Sequence, residues 1–209
     1  MRSPTQPEPL FTPNEAAVLT HLPLKTVQNA IDKKIVAAAG GQRAGHVTRL
    51  LDLRALTVLM LEQRLADRFP RDLRRQIFDA MARSTRDAVA LEDGLLTIDL
   101  RQPRRELAGS LRTLRRAREL VTVDREVMGG DPVFRGTRVP VHMIAELVSR
   151  GTPEAELLED YPRVTSEMVR LAPTYAAAYP LRGRPRARSW RERPPVRVTR
   201  RPLSDFKVA

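Results

Sequence analysis

Hydrophobic positions near the start of the chain recur at helical spacing and are interrupted by turn signals. Thr12-Pro13-Asn14-Glu15 predicts a capping box, because a threonine precedes a first-turn proline and a glutamate follows three residues later. His21-Leu22-Pro23 ends that helix. A second helix is predicted over 25–34, where Val27, Ala30 and Ile31 share one face. Its other face is polar and partly basic, with Lys25, Thr26, Gln28, Asn29 and Lys33.

Two extended segments come next, at 35–39 and 46–50, and a glycine-rich turn that carries Arg43 separates them. We predict a hairpin here. Two short helices joined by a tight turn and followed by a hairpin are typical of a winged helix-turn-helix. The region from about Phe11 to Phe69 resembles the DNA-binding domains of MerR-like and excisionase-like regulators. This resemblance implies that the second helix enters the major groove.

The middle of the chain alternates apolar helical stripes with short strands. Helices are predicted over 52–68, from 70 to about 84, and over 103–119. Strands are predicted at 88–91 and 95–100, around the Asp93-Gly94 turn. We interpret the apolar stripes as core and dimer packing. The outer face of the helix predicted over 103–119 is basic, with Arg104, Arg105, Arg112, Arg115, Arg116 and Arg118.

A strand at 120–124 leads into the segment Asp131-Pro132-Val133-Phe134-Arg135-Gly136-Thr137-Arg138-Val139-Pro140-Val141. Gly136 permits a positive φ, and Pro140 suits the start of a helix, which we predict over 141–148. Gly151 stops that helix. Two further helices are predicted, over 155–160 and from 165 to 179, and Pro173 is expected to kink the second.

This segment, together with Leu157-Leu158-Glu159-Asp160-Tyr161-Pro162, resembles the bacterial family known as domain of unknown function 433. The resemblance covers about Val121 to Tyr179. It implies a homeodomain-like three-helix unit and an antitoxin of VapB type, which is paired with a PIN-domain ribonuclease. The N-terminal part and the last 29 residues lie outside it, so their roles are inferred from their own residues.

The charge of the chain is concentrated at its end. The net charge is +12, and residues 181–209 contain nine arginines and one lysine against Glu192 and Asp205. Such a chain attracts polyanions or an acidic partner. There are no cysteines, no apolar run long enough to span a membrane and no apolar signal-peptide core at the N-terminus, so we expect a cytoplasmic protein with no membrane contact.

The polar face of the second helix and Arg43 form the candidate DNA-binding site. Glutamine and asparagine side chains can bond adenine in the major groove, and lysine can reach phosphate or guanine. The alternative is a solvated helix face with no ligand.

Three interpretations of the tail remain open. It neutralises nucleic-acid phosphates, it is a solvated run of charge, or it folds on an acidic groove of a partner. In the third case arginines pair with carboxylates and two aromatic residues act as anchors. The family resemblance favours the third, because an arginine placed among the metal-binding carboxylates of a PIN ribonuclease would silence it. The candidate toxin-binding residues are Arg184, Arg186, Arg188, Trp190, Arg191, Arg193, Arg197, Arg200, Arg201 and Phe206.

No convergent catalytic set is evident, so we do not expect an enzyme, a metal site or a cofactor. The histidines His21, His46 and His142 are scattered. His142 and Glu146 have a spacing that permits a metal pair, but a satisfied structural histidine is the commoner outcome. The carboxylates Asp124, Glu126 and Asp131 are expected to pair with the nearby arginines Arg125, Arg135 and Arg138.

Together these patterns predict a mainly α protein with small β elements, a winged helix-turn-helix, a three-helix unit and an extended basic tail. We divide it into a flexible leader (1–11), a DNA-binding domain (12–86), an α/β region with the three-helix antitoxin-family unit (87–180) and a partner-binding tail (181–209). The expected function is an antitoxin that inhibits a PIN-domain ribonuclease through its tail and represses its own operon by binding operator DNA. The alternative is a stand-alone DNA-binding regulator with a nonspecific basic tail. A third reading is an RNA-binding protein.

A palindromic operator would require a homodimer within the toxin–antitoxin complex. The arm at 121–137 is a candidate dimer element through strand pairing between chains. Its alternative is a sheet within one chain.

Overall fold

The protein is mainly helical, as the sequence predicts. The computed structural model describes residues 9–43, 46–84 and 86–181. Among them, no helix is both long and apolar enough to cross a bilayer. The helices are α1 (Pro13–Thr20), α2 (Leu24–Asp32), α3 (Leu53–Leu65), α4 (Arg71–Arg83), α5 (Arg101–Glu119), α6 (Val141–Ser149), α7 (Glu154–Asp160) and α8 (Ser166–Ala178).

The strands of the described residues form separate antiparallel pairs. β1 (Ala39–Arg43) pairs with β2 (His46–Leu50), with Ala39 opposite Leu50. β3 (Ala88–Leu91) pairs with β4 (Leu96–Asp99) around the predicted Asp93-Gly94 turn, and β5 (Val121–Thr122) pairs with β6 (Val133–Phe134). Each sheet has two strands, so the helices supply most of the packing surface.

The first helix begins at the capping box that the sequence predicts. The Glu15 backbone N–H donates to Thr12 Oγ1 at 3.3 Å, and the Thr12 backbone N–H donates to Glu15 Oε2 at 2.8 Å. Just before the cap, Phe11 and Leu51 exchange two backbone hydrogen bonds of 2.8 Å. This bridge fixes the start of α1 against the chain that leaves β2.

The first strand of the hairpin is shifted from its predicted position. Residues 35–38 are not a strand, and β1 begins at Ala39. The Ile35 and Val36 backbone N–H groups both donate to the Ala30 carbonyl, at 2.9 and 3.5 Å, so they close the end of α2 instead of joining a ladder. Val36 is buried in the core. The apolar run that suggested a strand is therefore a buried connection.

Other boundaries differ by a few residues for local reasons. α3 ends at Leu65, three residues before the predicted end. α5 begins at Arg101, and Pro103 lies within its first turn, where a missing N–H costs nothing. β5 stops at Thr122, and the Val123 side chain is exposed. Pro173 lies inside α8, which is assigned as one continuous helix.

Two hydrophobic clusters organise the packing. The first reaches from Phe11 through α3 and α4 to Leu114 of α5, and it includes Ala178 at the end of α8. The second contains Phe134, the buried face of α6 and the inner face of α8. The first cluster draws residues from both sides of the predicted domain boundary at 86/87, so that boundary does not separate two cores.

The arm at 121–137 pairs within this chain. Val121 lies opposite Phe134, and the Arg135 backbone N–H donates to the Leu120 carbonyl at 2.8 Å. Gly136 has a φ of 77°, as the predicted turn requires. Thr137 Oγ1 closes the turn by donating to the Phe134 carbonyl at 2.9 Å. The structure thus corresponds to the intrachain alternative.

The end of α8 is fastened to the start of α1. The Tyr179 hydroxyl donates to Glu15 Oε1 at 2.7 Å, and Glu15 is only 1% exposed. On its other side, His142 Nε2 donates to the Tyr179 carbonyl at 2.8 Å. The Tyr175 ring packs at 4.9 Å from the Tyr179 ring, and burial raises the pKa of Tyr175. The two ends of the described chain therefore meet at a partly buried, hydrogen-bonded junction.

Tyr179→Phe is expected to lower the free energy of unfolding by about 1–3 kcal/mol. The substitution keeps the ring but removes a donor from a buried carboxylate, so that part of the desolvation cost of that carboxylate is no longer offset. Urea denaturation followed by circular dichroism measures the change. Tyr161→Phe is the matched control, since that side chain is half-buried in the second cluster and is expected to change the stability little. Equal effects of the two variants would contradict a special role for the junction.

Candidate nucleic-acid interface

Helix α2 is divided into a buried apolar face and an exposed polar face. Val27 is completely buried, and Ala30 and Ile31 are 5% and 8% exposed. This face packs against α1, from which α2 is separated by the three-residue connection 21–23. The four predicted contact residues on α2, and Lys33 at its C-cap, are all exposed: Lys25, Thr26, Gln28, Asn29 and Lys33. Helix α2 and its C-cap therefore present two amides and two ammonium groups to solvent.

The hairpin is tied to this helix by an ion pair. The Arg49 guanidinium of β2 donates to Asp32 Oδ1 at the end of α2. Both side chains are more than half exposed, so the pair contributes at most about 1 kcal/mol of stability. The pair shows that β2 lies beside the C-terminal end of α2. Gly41 leaves room for the Leu50 side chain, since a Cβ there would lie 2.4 Å from the Leu50 Cδ1 atom.

Arg43, the remaining predicted DNA contact, is the last residue of β1. Its Cα lies opposite that of His46 in the register of the strand pair. Next to His46, Val47 is 83% exposed. The predicted site residues thus lie on the outer face of α2, at its C-cap and at the end of β1.

The sequence pattern missed several basic residues near this surface. Lys34 follows the end of α2 and has a φ of 55°. Together with Lys33 it lines a cleft that also contains Arg71 and Arg75 of α4. A basic pair at 33–34 is visible in the sequence, but nothing local indicates that α4 faces it. Arg49 was likewise overlooked, because its role depends on the approach of β2 to α2.

Several arginines of α5 are committed to local ion pairs. The Arg101 side chain forms three hydrogen bonds with the Asp99 carboxylate, and these, with the bond from the Arg101 backbone N–H, hold the pKa of Asp99 at about 2. Arg116 binds Glu167 of α8 through two hydrogen bonds of 2.8 and 2.7 Å, which lower the pKa of that carboxyl. These contacts fasten α5 to β4 and α8, while Arg105, Arg112 and Arg115 remain exposed.

The residues weighed for catalysis have structural contacts. His142 donates to the Tyr179 carbonyl, and Glu146 pairs with Arg150 on the same helix. Asp124 accepts the Glu126 backbone N–H at 3.0 Å. The expected pairing of Arg135 with a carboxylate is wrong, because its guanidinium donates to the Glu119 and Val121 carbonyls. Within the described ranges, no group of three potential ligand side chains is placed to hold a metal.

The predicted toxin-binding residues, from Arg184 to Phe206, all lie outside the described residues. The part of the chain that the structure describes ends at Leu181, two residues beyond Tyr179. The tail prediction therefore stands on the sequence alone.

Part of this chain is similar in sequence to known proteins. It is 47% identical over 91 residues to the "Uncharacterized protein y4eO" of Sinorhizobium fredii, which covers 44% of this chain and 41% of that protein. The chain thus spans less than half of the length of this relative. The crystal structure of Rv2018 from Mycobacterium tuberculosis aligns over 79% of this chain and 97% of its own. At 18% identity and a TM-score of 0.32, that alignment supports no inference about the fold or the function.

A family model also matches, over residues 121–176, and its description is "Protein of unknown function (DUF433)". These residues include β5, the Arg135–Val139 turn, α6, α7 and most of α8. The segment that carries Arg-Gly-Thr-Arg-Val-Pro is therefore similar to this family, and its resemblance to that family is borne out over these residues.

Proposed function

We propose that this chain binds duplex DNA with α2 in the major groove and the β1–β2 hairpin against the backbone or the minor groove. The proposal treats α1, α2 and the hairpin as a winged helix-turn-helix. The observation that carries it is the face of α2, where amide and ammonium side chains are exposed on a helix whose opposite face is sealed into the core. Because the buried face holds the helix in place, the exposed side chains can reach base edges without a change in the backbone.

The chemistry of this face suits sequence-dependent reading. An amide can bond the N6 and N7 atoms of adenine together, which discriminates adenine from the other bases. Gln28 and Asn29 supply two amides, while Lys25 and Lys33 lie toward opposite ends of the helix, where the phosphate strands border the groove. In this proposal Arg43, the last residue of β1, supplies a minor-groove or phosphate contact.

Selection from a pool of duplexes with a randomised central segment tests this proposal. The intact chain is expected to enrich a defined sequence motif in the presence of excess competitor DNA. Sequence-specific proteins prefer their sites over other DNA by factors of about 10³–10⁷. A pool that remains random, at a salt concentration that permits binding, would contradict base reading by α2.

We further propose that the DNA-binding chain acts as the antitoxin of a PIN-domain ribonuclease and represses its own operon in the cytoplasm. The DUF433 match at 121–176 supports this, through the resemblance of that family to VapB-type antitoxins. The composition of residues 181–209 supports it as well, since the arginines are accompanied by Trp190 and Phe206. Arginine–carboxylate pairs with aromatic anchors are the chemistry that an acidic groove would recognise.

Removal of residues 182–209 separates this role from that of a stand-alone regulator. For an antitoxin, the truncated chain is expected to keep its sequence preference on DNA and to lose a stoichiometric acidic partner, recovered from the native cell at about twice physiological salt. Ribonuclease activity of the partner should appear at the same time. For a regulator with a nonspecific tail, truncation would instead weaken all DNA binding and reduce its salt dependence.

A further inference from the structure

A basic cleft opens beside the end of α2. Its volume is about 1010 Å³, and it lies between the α2–β1 connection and the helices α3 and α4. Five cationic side chains line it against three carboxylates. The cations are Lys33, Lys34, Arg71, Arg74 and Arg75. They come from two segments that are nearly 40 residues apart in sequence, so the fold brings them together.

One of these cations is structural. Arg74 Nε donates to Glu62 Oε2 at 3.0 Å, and its Nη1 donates to the Ala66 and Phe69 carbonyls at 3.0 and 2.6 Å. Both side chains of the pair are less than 20% exposed. Arg74 thus fastens the start of α4 to the end of α3. Its charge is neutralised, and it holds the frame on which the other cations stand.

The other four cations are exposed, and their side chains make no ion pair or hydrogen bond with any described residue. They are Lys33, Lys34, Arg71 and Arg75. Two carboxylates of the cleft, Asp72 and Asp79, also make no ion pair within the described ranges. The cleft therefore has more positive than negative side chains, and these side chains do not enclose a small site. An open surface of this kind suits an extended polyanion better than a small trapped anion.

Continuity with α2 indicates which polyanion. Lys33, the C-cap of α2, also lines the cleft, and Lys34 follows with a left-handed backbone conformation. A helix lying in a major groove has a phosphate strand at each border of that groove. We propose that the cleft formed by Lys33, Lys34, Arg71 and Arg75 holds the sugar–phosphate backbone of the duplex that α2 reads. This inference rests on the proposed DNA binding.

The salt dependence of binding tests the proposal in the full-length chain. The variant combines Lys34→Asn with Arg75→Gln, and asparagine is chosen because it tolerates the positive φ of position 34. Each phosphate contact contributes about 0.9 to the slope of log K against log salt concentration, so the slope is expected to fall by about 1.8. The matched control, Arg68→Gln with Arg83→Gln, removes the same charge from exposed sites outside the cleft.

Two fluorescent duplexes, one carrying the selected motif and one with it scrambled, are titrated at several salt concentrations. The proposal predicts a reduced slope on both duplexes, an unchanged ratio of the two affinities, and a smaller change for the control. A slope equal to that of the control would overturn the cleft proposal while leaving base reading by α2 intact, and so would a change in the affinity ratio. No binding of the wild-type chain to either duplex would overturn both proposals, so the two failures are distinguishable.

Discussion

Replacing Gln28 and Asn29 together with alanine is expected to weaken binding to the selected duplex by about 2–6 kcal/mol and to leave binding to scrambled DNA nearly unchanged. A good bidentate contact to a base contributes about 1–3 kcal/mol of discrimination, and both amides project from the exposed face of α2. Alanine favours the helix more than asparagine does, so α2 itself should persist. Fluorescence anisotropy titration of both duplexes measures the two affinities.

A control for this variant is available on neighbouring helices. Gln63 of α3 and Gln76 of α4 are also exposed, and their double replacement by alanine should change neither affinity. Suppose that the α2 variant lost affinity equally for both duplexes. The amides would then contribute to nonspecific contact alone, and the assignment of base reading to α2 would be wrong.

Phe134→Ala is expected to lower the free energy of unfolding by about 3–5 kcal/mol. Phe134 is 1% exposed in the second hydrophobic cluster, at the start of the Arg-Gly-Thr-Arg turn, and its removal leaves a cavity that the neighbouring helices cannot fill. Such a loss is a large part of the stability of an ordinary domain, which is about 5–15 kcal/mol. Urea denaturation, with circular dichroism as the signal, gives the difference.

Val123→Ala serves as the comparison, because this nearby side chain is 61% exposed and should change the stability by less than about 0.5 kcal/mol. A Phe134 variant as stable as the Val123 variant would mean that the cluster around β6 is not a packed core. The DUF433 segment would then lack the internal stability that its buried face indicates.

The elements that the sequence predicts well are those whose signals are local. The Thr12–Glu15 capping box is a contact between residues three positions apart, and its four residues suffice to predict the start of α1. Gly136 and Gly151 take the positive φ values expected of a turn and a helix stop. The polar face of α2 follows from the spacing of Val27, Ala30 and Ile31, so the sequence alone identifies the candidate contacts on that helix.

Long-range contacts account for what the sequence did not predict. The sequence of residues 35–38 is typical of a strand, yet these residues form a connection. Their backbone bonds to the Ala30 carbonyl, and Val36 is buried in the core. The junction between Glu15 and Tyr179 joins residues 164 positions apart, and no periodicity indicates it. The basic cleft has the same origin, because only the packing of α4 against α3 brings Arg71 and Arg75 to the end of α2.

Photo-crosslinking from α2 is the most direct test of the central claim, that this helix reads DNA in the major groove. A benzoylphenylalanine placed at Thr26, on the exposed face, is irradiated in complex with the selected duplex, and the same group at Gln63 of α3 is the reference. We predict crosslinks from position 26 to bases within the selected motif and none from position 63. Duplex binding without any crosslink from position 26, or with crosslinks from position 63 instead, would contradict the assignment of α2 as the reading helix.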